Sequence, residues 1–371
     1  MRKVNRRLAL VSAIAISLTM LVAAPAKAAL PTVRIEVGGL SKQIYIHAML
    51  TQQLGYYKKY GINVVLTDEA AGASAEDDML TGSVDFVLGF YDHNIDLRIK
   101  GKNTVNVATL LQSPGEVELC RSDLKGTINS PADWAKQKGG VSLGVTGLGS
   151  STNFLTLSLG AKAGVPQSAM HSFVAGAGTT FIAAMKNKAI DCGMTTEPTI
   201  SQVLDSGLGY VLVDMRYGSL TKAALGGPYP ATCVYGREDW IAAHSDLTQR
   251  VVDAMMDTTK FIESHTADQI AAQVPADYYA GTGLASYVKA LNNELVMYNP
   301  TGKMPSLGPR SVLTIDGRGK LASGAWTAAQ MKAVDLHATY TDQYVTTSVR
   351  DIAKAAKFPN YFSTGAGAIK G

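Results

Sequence analysis

Val141-Ser142-Leu143-Gly144-Val145-Thr146-Gly147-Leu148-Gly149-Ser150-Ser151-Thr152 is the stretch on which the fold turns. A short apolar run predicts a strand through Val145, Gly147 to Ser151 reads as a glycine-rich turn, and Thr152 to Ala163 continues as a helix. A strand that feeds a helix through a tight turn is the repeating unit of a parallel sheet.

The same grammar extends in both directions. Upstream, Val33–Val37 is a strand ending in Gly38-Gly39-Leu40-Ser41; Ser41 is placed to cap a helix carrying Ile46, Met49, Leu50, Leu54 and Tyr57 on one face, with Gly61 as its stop. Strands follow at Val64–Leu66, Asp85–Leu88 and Val105–Leu111, and downstream at Ala189–Met194 and Tyr210–Val213. Met79–Asp85 and Met185–Asp191 echo each other, each running from a helix end to Val-Asp or Ile-Asp with the same spacing, which predicts two related lobes. Asp239–His265 reads as one long amphipathic helix, Tyr298–Gly317 is rich in Gly and Pro and precedes two short helices, and Ser363–Gly371 reads as a loose tail.

Arg2, Lys3, Arg6 and Arg7 precede the apolar stretch Leu8–Ala24, and Ala26-Lys27-Ala28 offers small residues for cleavage, so residues 1–28 read as a signal peptide for export to a periplasm. Their loss takes away five basic residues and no acidic one, which turns the net charge of +4 into −1 and argues against nucleic acid or an anionic membrane as partner. What remains exceeds one hydrophobic core, so two lobes are expected. Cys120, Cys192 and Cys233 are far apart without a C-x-x-C pair; they are expected to be buried small side chains, with one bridge open to them in an oxidising compartment. The six histidines show no metal-ligand spacing, and neither a metal nor a cofactor is expected.

Pro131-Ala132-Asp133-Trp134 with the Gly147–Thr152 turn resembles the nitrate/sulfonate/taurine family of ABC-importer binding proteins. Gly55-Tyr56-Tyr57-Lys58-Lys59-Tyr60-Gly61-Ile62, Thr196-Glu197-Pro198, Asp316-Gly317-Arg318 and Trp326 are similar to that family's segments in the same order. The resemblance implies an α/β, two-lobed periplasmic-binding-protein fold of type II: mixed, mostly parallel sheets flanked by helices, joined by two crossover hinge segments near Gln112–Cys120 and Arg216–Gly226, which divides the chain into residues 29–117 with 219–371 and residues 118–218. It also implies a monomer that carries a small-molecule ligand to a permease and ATPase of the inner membrane.

Gly149, Ser150, Ser151 and Thr152 open a helix after a strand, where free amides and hydroxyls suit an oxyanion; plain capping by Ser150 or Ser151 is the alternative. Facing them, the strand ends of the first lobe supply Gly39, Ser41, Gln43 and Tyr45, then Phe90, Tyr91 and Asp92, with core packing or helix capping as alternatives for the aromatics and Asp92. Thr196 and Glu197 follow a strand of the second lobe, and Tyr229 lies near the second crossing. If Asp92 and Glu197 both face the cleft, a zwitterion or N-heterocycle is favoured over a simple anion such as nitrate. A hydrolase elbow would need Ser at position 149, where Gly stands, so no catalytic residue is assigned. Two rivals stand beside transport: a thiamine-pyrimidine-synthase-like enzyme or pyrimidine-precursor binder of the same fold, and a periplasmic ligand sensor.

Overall fold

The computed structural model describes residues 29–345; the expected signal peptide and the tail at Ser363–Gly371 lie outside them. Ten strands among the described residues form two five-stranded sheets. The first contains β1 (Thr32–Val37), β2 (Asn63–Asp68), β3 (Phe86–Phe90), β4 (Thr104–Thr109) and β10 (Thr232–Arg237), in the order β2-β1-β3-β10-β4. The second contains β5 (Glu116–Arg121), β6 (Val141–Val145), β7 (Met170–Val174), β8 (Cys192–Thr196) and β9 (Gly209–Asp214), in the order β7-β6-β8-β5-β9. β10 runs antiparallel to β3 and β4, and β5 antiparallel to β8 and β9. In each sheet the antiparallel strand is the one that arrives from the other sheet, so the two lobes repeat one plan. The crossings occupy residues 110–115 and 215–231.

The echo of Met79–Asp85 and Met185–Asp191 has a structural basis. Asp85 accepts a hydrogen bond from the Arg34 amide of β1 at 2.8 Å and donates its own amide to the Arg34 carbonyl at 2.9 Å. Asp191 does the same with Ser142 of β6, at 2.9 and 2.8 Å. Each carboxylate therefore pins the third parallel strand of its lobe to the first.

Burial explains the strand sequences. All five residues of β3 and all six of β5 are buried, as befits strands covered on both faces. β5, β7 and β10 were not read from the sequence, and β8 begins at Cys192 rather than Ala189. Most of the buried apolar residues form one cluster, and a smaller one around Phe181, Met185 and Ile200 lies in the second lobe.

Three helices differ from expectation. Ser41 is exposed and caps nothing; a 3-10 turn at Gln43–Tyr45 leads into a helix at Ile46–Gln53, and Gly55, at φ +73°, breaks it before the short helix Tyr56–Lys59. The stretch Asp239–His265 is two helices, Glu238–Ala243 and Ser245–Ser264, parted at His244, whose φ of −128° is not helical. Gly308–Ala322 is one fifteen-residue helix despite its glycines. A side chain at Gly319 would meet Leu157 Cβ at 2.9 Å and the Ser158 amide nitrogen at 3.1 Å, so this position is small because two helices touch there.

Cys120 and Cys192 are opposite each other in the β5–β8 register and form a disulfide, while Cys233 is free and buried. Of the two readings open from the sequence, Cys233 follows the buried small side chain and Cys120 with Cys192 the single bridge: partners 72 residues apart in sequence become neighbours through strand pairing.

Candidate functional site

The carboxyl ends of the parallel strands in both sheets converge on one cleft, the position at which open α/β sheets hold ligands. Its outer chamber, about 460 Å³, lies between the turn after β1, the Gly176–Thr180 turn after β7, the helix Thr199–Asp205, and Asp277–Thr282. Its inner chamber, about 20 Å³, is lined by Tyr45, His93, Glu116, Thr146, Ser151 and Thr196 among others. Lys42 lines both.

Ser150 and Ser151 stand at the start of the helix Ser151–Lys162, whose first-turn amides have no acceptor within the helix. Neither hydroxyl caps it. Ser150 Oγ accepts a hydrogen bond from the Ala73 amide of the first lobe at 3.3 Å, and Ser151 Oγ donates to Asp92 Oδ1 at 2.9 Å. Thr152 instead turns inward, its Oγ1 accepting from the Thr146 amide at 3.0 Å, and Gly149, at φ +84°, gives its amide to Asn153 Oδ1 at 3.2 Å. A third bridge between the lobes runs from the Gln43 amide to the Glu197 carbonyl at 3.1 Å.

Asp92 sits one layer behind Ser151. Its Oδ2 accepts from the Tyr229 hydroxyl at 2.8 Å, and the same hydroxyl lies 3.0 and 3.1 Å from the two carboxylate oxygens of Asp316. Burial raises Asp92 above its ordinary value and, reinforced by the charge of Asp92, holds Asp316 well above its own. Beside it, His93 Nδ1 meets Glu76 at 2.7 Å, and His93 Nε2 approaches Ser151 Oγ at 3.4 Å. Burial opposes the charge on His93, but Glu76 and Asp92 outweigh it and lift the imidazole to about 9.

Lys42 is a buried ammonium, 7% exposed. Its Nζ donates to the Gly38 carbonyl, and to that of Ala70 at 3.3 Å. Burial lowers it to about 8, against the pull of Glu116 and Asp68. Glu116 is pushed well above the ordinary carboxylate range by burial and by Asp92, with Lys42 acting the other way.

Of the residues expected from the sequence, Gly39 and Ser41 line the outer chamber and Tyr45, Ser150, Ser151, Thr152 and Thr196 the inner one. Asp92 and Tyr229 support Ser151 from behind. Gln43, Phe90, Tyr91, Gly149 and Glu197 line neither chamber: Gln43 Nε2 donates to the Tyr287 carbonyl at 3.0 Å, Phe90 is core, and Tyr91 bonds Thr339. The Glu197 carboxylate accepts from the Ser201 amide and hydroxyl, both at 2.9 Å, and meets Arg216 at 3.4 Å. Lys42, His93, Glu116 and Thr146 were missed; Lys42 and His93 each follow an expected residue by one position. At the edge of the outer chamber, which Glu69 lines, Glu36, Glu69 and Asp78 bring carboxylate oxygens within 4.8 Å of one another, a grouping the sequence spacing does not reveal.

The model of the NMT1-like family matches residues 28–276, and the chain belongs to that family. Its fold is the two-lobed periplasmic-binding-protein fold. A protein of Bordetella bronchiseptica RB50 shares it at 28% identity and a TM-score of 0.77, covering 87% of this chain and 97% of that one. The periplasmic nitrate-binding protein NrtA from Synechocystis PCC 6803 is similar at 14% identity and a TM-score of 0.67, over 88% and 89% of the two chains. The alkanesulfonate-binding protein SsuA from Xanthomonas axonopodis pv. citri is similar at 16% identity and a TM-score of 0.61, over 88% and 99%. A search of curated proteins finds no match.

Proposed function

We propose that this protein is an extracytoplasmic solute-binding protein that takes a small organic anion into the cleft between its lobes and delivers it to an ABC importer. One observation carries the reading: Lys42, a buried ammonium, stands on the wall shared by a chamber of about 460 Å³ and a smaller one of about 20 Å³. The larger volume is that of an ordinary small-molecule site. A carboxylate or sulfonate in it meets Lys42 from one lobe and the Gly178-Thr179-Thr180 turn from the other. The nitrate- and alkanesulfonate-binding neighbours support an anion, and through them a permease and ATPase as partners and a periplasmic location after removal of residues 1–28.

The two sheet-bearing lobes are the moving bodies, hinged at the crossings of residues 110–115 and 215–231. Closure over a ligand uses the contacts that Ser150, Ser151 and Gln43 make across the gap. Calorimetry against a panel of alkanesulfonates and short carboxylates tests the reading. Wild type is expected to bind at least one of them, and Lys42→Met to bind it ten- to a hundredfold more weakly, the worth of about 1.5 to 3 kcal/mol for a hydrogen bond to a charged group. Equal affinity in the variant removes Lys42 from the site.

A further inference from the structure

Several carboxylates lie buried at or near the inter-lobe gap, and Asp92, Glu118 and Glu197 have found donors. Asp92 has Ser151 and Tyr229, Glu118 has the Thr156 hydroxyl at 2.9 Å, and Glu197 has Ser201 and Arg216. Glu118 Oε1 and both carboxylate oxygens of Glu294 lack a partner, but neither residue lines either chamber, and Glu116 does. It opens β5, is 2% exposed, and lines the inner chamber, yet its Oε2 has no hydrogen-bond partner among the described residues. Lys42 lines the same chamber and acts on Glu116 by its charge without a hydrogen bond between them; two of its three ammonium donors go to the carbonyls of Gly38 and Ala70, and the third is left for a ligand.

A buried carboxylate with an unpaired oxygen is costly unless something supplies a donor. The chamber it faces, about 20 Å³, holds one group the size of a water molecule, which is also the size of an ammonium. His93 and Lys42 also line this chamber, but His93 is paired with Glu76 and Lys42 is turned to the Gly38 and Ala70 carbonyls, while Asp92 adds negative charge near Glu116, so an N–H donor or cation is favoured beside Glu116 over a second anion. The outer chamber, which Lys42 shares, has the space for the rest of the ligand.

We propose, building on the anion-binding reading above, that Glu116 receives a protonated amine or ring N–H of the ligand while Lys42 holds its anionic end, so that the cleft selects zwitterionic molecules over plain anions. The sequence directed this role to Asp92 and Glu197, but the structure engages both with protein donors and leaves the strand acid free.

The test combines two measurements. Mass spectrometry identifies what the purified protein retains from a bacterial metabolite extract, and melting temperature is read against two matched pairs, taurine with ethanesulfonate and β-alanine with propionate. The expected result is a retained molecule with an amine or ring N–H beside its anionic group, a larger melting shift from the amino member of any pair that binds, and at least tenfold weaker binding of that molecule by Glu116→Gln. The melting temperature of E116Q reports whether it folds, and the choice within each pair is read in wild type without any variant. A retained anion without a nitrogen donor, des-amino probes that bind as well as their partners, or a folded E116Q that binds like wild type each overturn the pairing and leave the binding-protein reading standing. A wild type that retains nothing and responds to none of the four probes overturns both.

Discussion

Ser151 of the second lobe donates its hydroxyl to Asp92 of the first at 2.9 Å, and the bond is buried. Tyr229 and Asp316 extend it into a chain that ties the helix Ser151–Lys162 to the helix Gly308–Ala322. In Ser151→Ala the alanine cannot donate, and the closed arrangement loses about 1 to 3 kcal/mol relative to an open one in which water satisfies both partners. Small-angle scattering of the ligand-free protein is expected to give a larger radius of gyration for S151A than for wild type. Identical curves would show that this bond has no part in closure.

The Tyr229 hydroxyl has a single proton for two carboxylates, so the arrangement needs one of the acids to be neutral. Burial, with Asp92 adding to it, keeps Asp316 protonated well above the ordinary range, whereas in the unfolded chain an aspartate titrates near ~3.9. An acid whose folded value is raised takes up protons on folding, so its contribution to stability declines as pH climbs above the unfolded value. Asp316→Asn supplies a permanently neutral acceptor. Calorimetric melting from pH 4 to pH 8 is expected to show D316N gaining on wild type as pH rises; a difference that stays constant across that range contradicts the protonated state.

His93 has the same sign of dependence for the opposite reason. Its folded value, about 9, lies above the ordinary histidine value of 6.5, so the pairing with Glu76 contributes fully below pH 6.5 and is lost as pH rises through 9. The linkage is worth at most about 3 kcal/mol. Wild type is therefore expected to melt above His93→Gln at pH 6.5, with the gap narrowing toward pH 10. A gap that widens with pH would mean a neutral imidazole in the fold.

The Cys120–Cys192 bridge joins adjacent strands across 72 residues of chain. Constraining a loop of that length in the unfolded state is worth about 4 kcal/mol by the entropic argument, and native disulfides measure about 2 to 5 kcal/mol on removal. Denaturant unfolding of Cys120→Ser/Cys192→Ser is expected to show a loss in that range with Cys233 untouched. An unchanged midpoint would mean that the bridge does not form in the folded protein.

What could be read from the sequence was local. β6 is an apolar run between Gly140 and Gly147, β1 runs into Gly38 and β2 follows Gly61, and the paired motifs ending at Asp85 and Asp191 marked two equivalent turns because the same carboxylate-to-amide bond recurs in each. β5 was hidden by its own alternation: Glu116 and Glu118 suggest a solvent face, whereas both faces of that strand are covered. Ser150 and Ser151 were identified, but their partners Ala73 and Asp92 are 77 and 59 residues away, and no spacing rule shows that a hydroxyl will cross a cleft rather than cap its own helix. Lys42 escaped for a similar reason, since only the fold brings its ammonium onto the Gly38 and Ala70 carbonyls.

The helix Gly308–Ala322 was also obscured, because Pro309, Gly317 and Gly319 read as breakers. Pro309 falls at the first turn, where no amide is needed, and the two glycines sit where neighbours press closest: a side chain at Gly317 would meet Met331, and one at Gly319 the backbone of Leu157 and Ser158. Met331 is the end of a flexible side chain and can yield, whereas helix backbone cannot. Gly317→Ala is therefore expected to cost little, helped by the better helix propensity of alanine, about 1 kcal/mol. Gly319→Ala forces the two helices apart, at about 1 to 3 kcal/mol for an overpacked contact, and shifts the helix that carries Ser151 with it. Parallel melts of the two variants decide the matter: G319A should fall by several degrees more than G317A, and equal melting temperatures would mean that the helices are not in contact at Leu157.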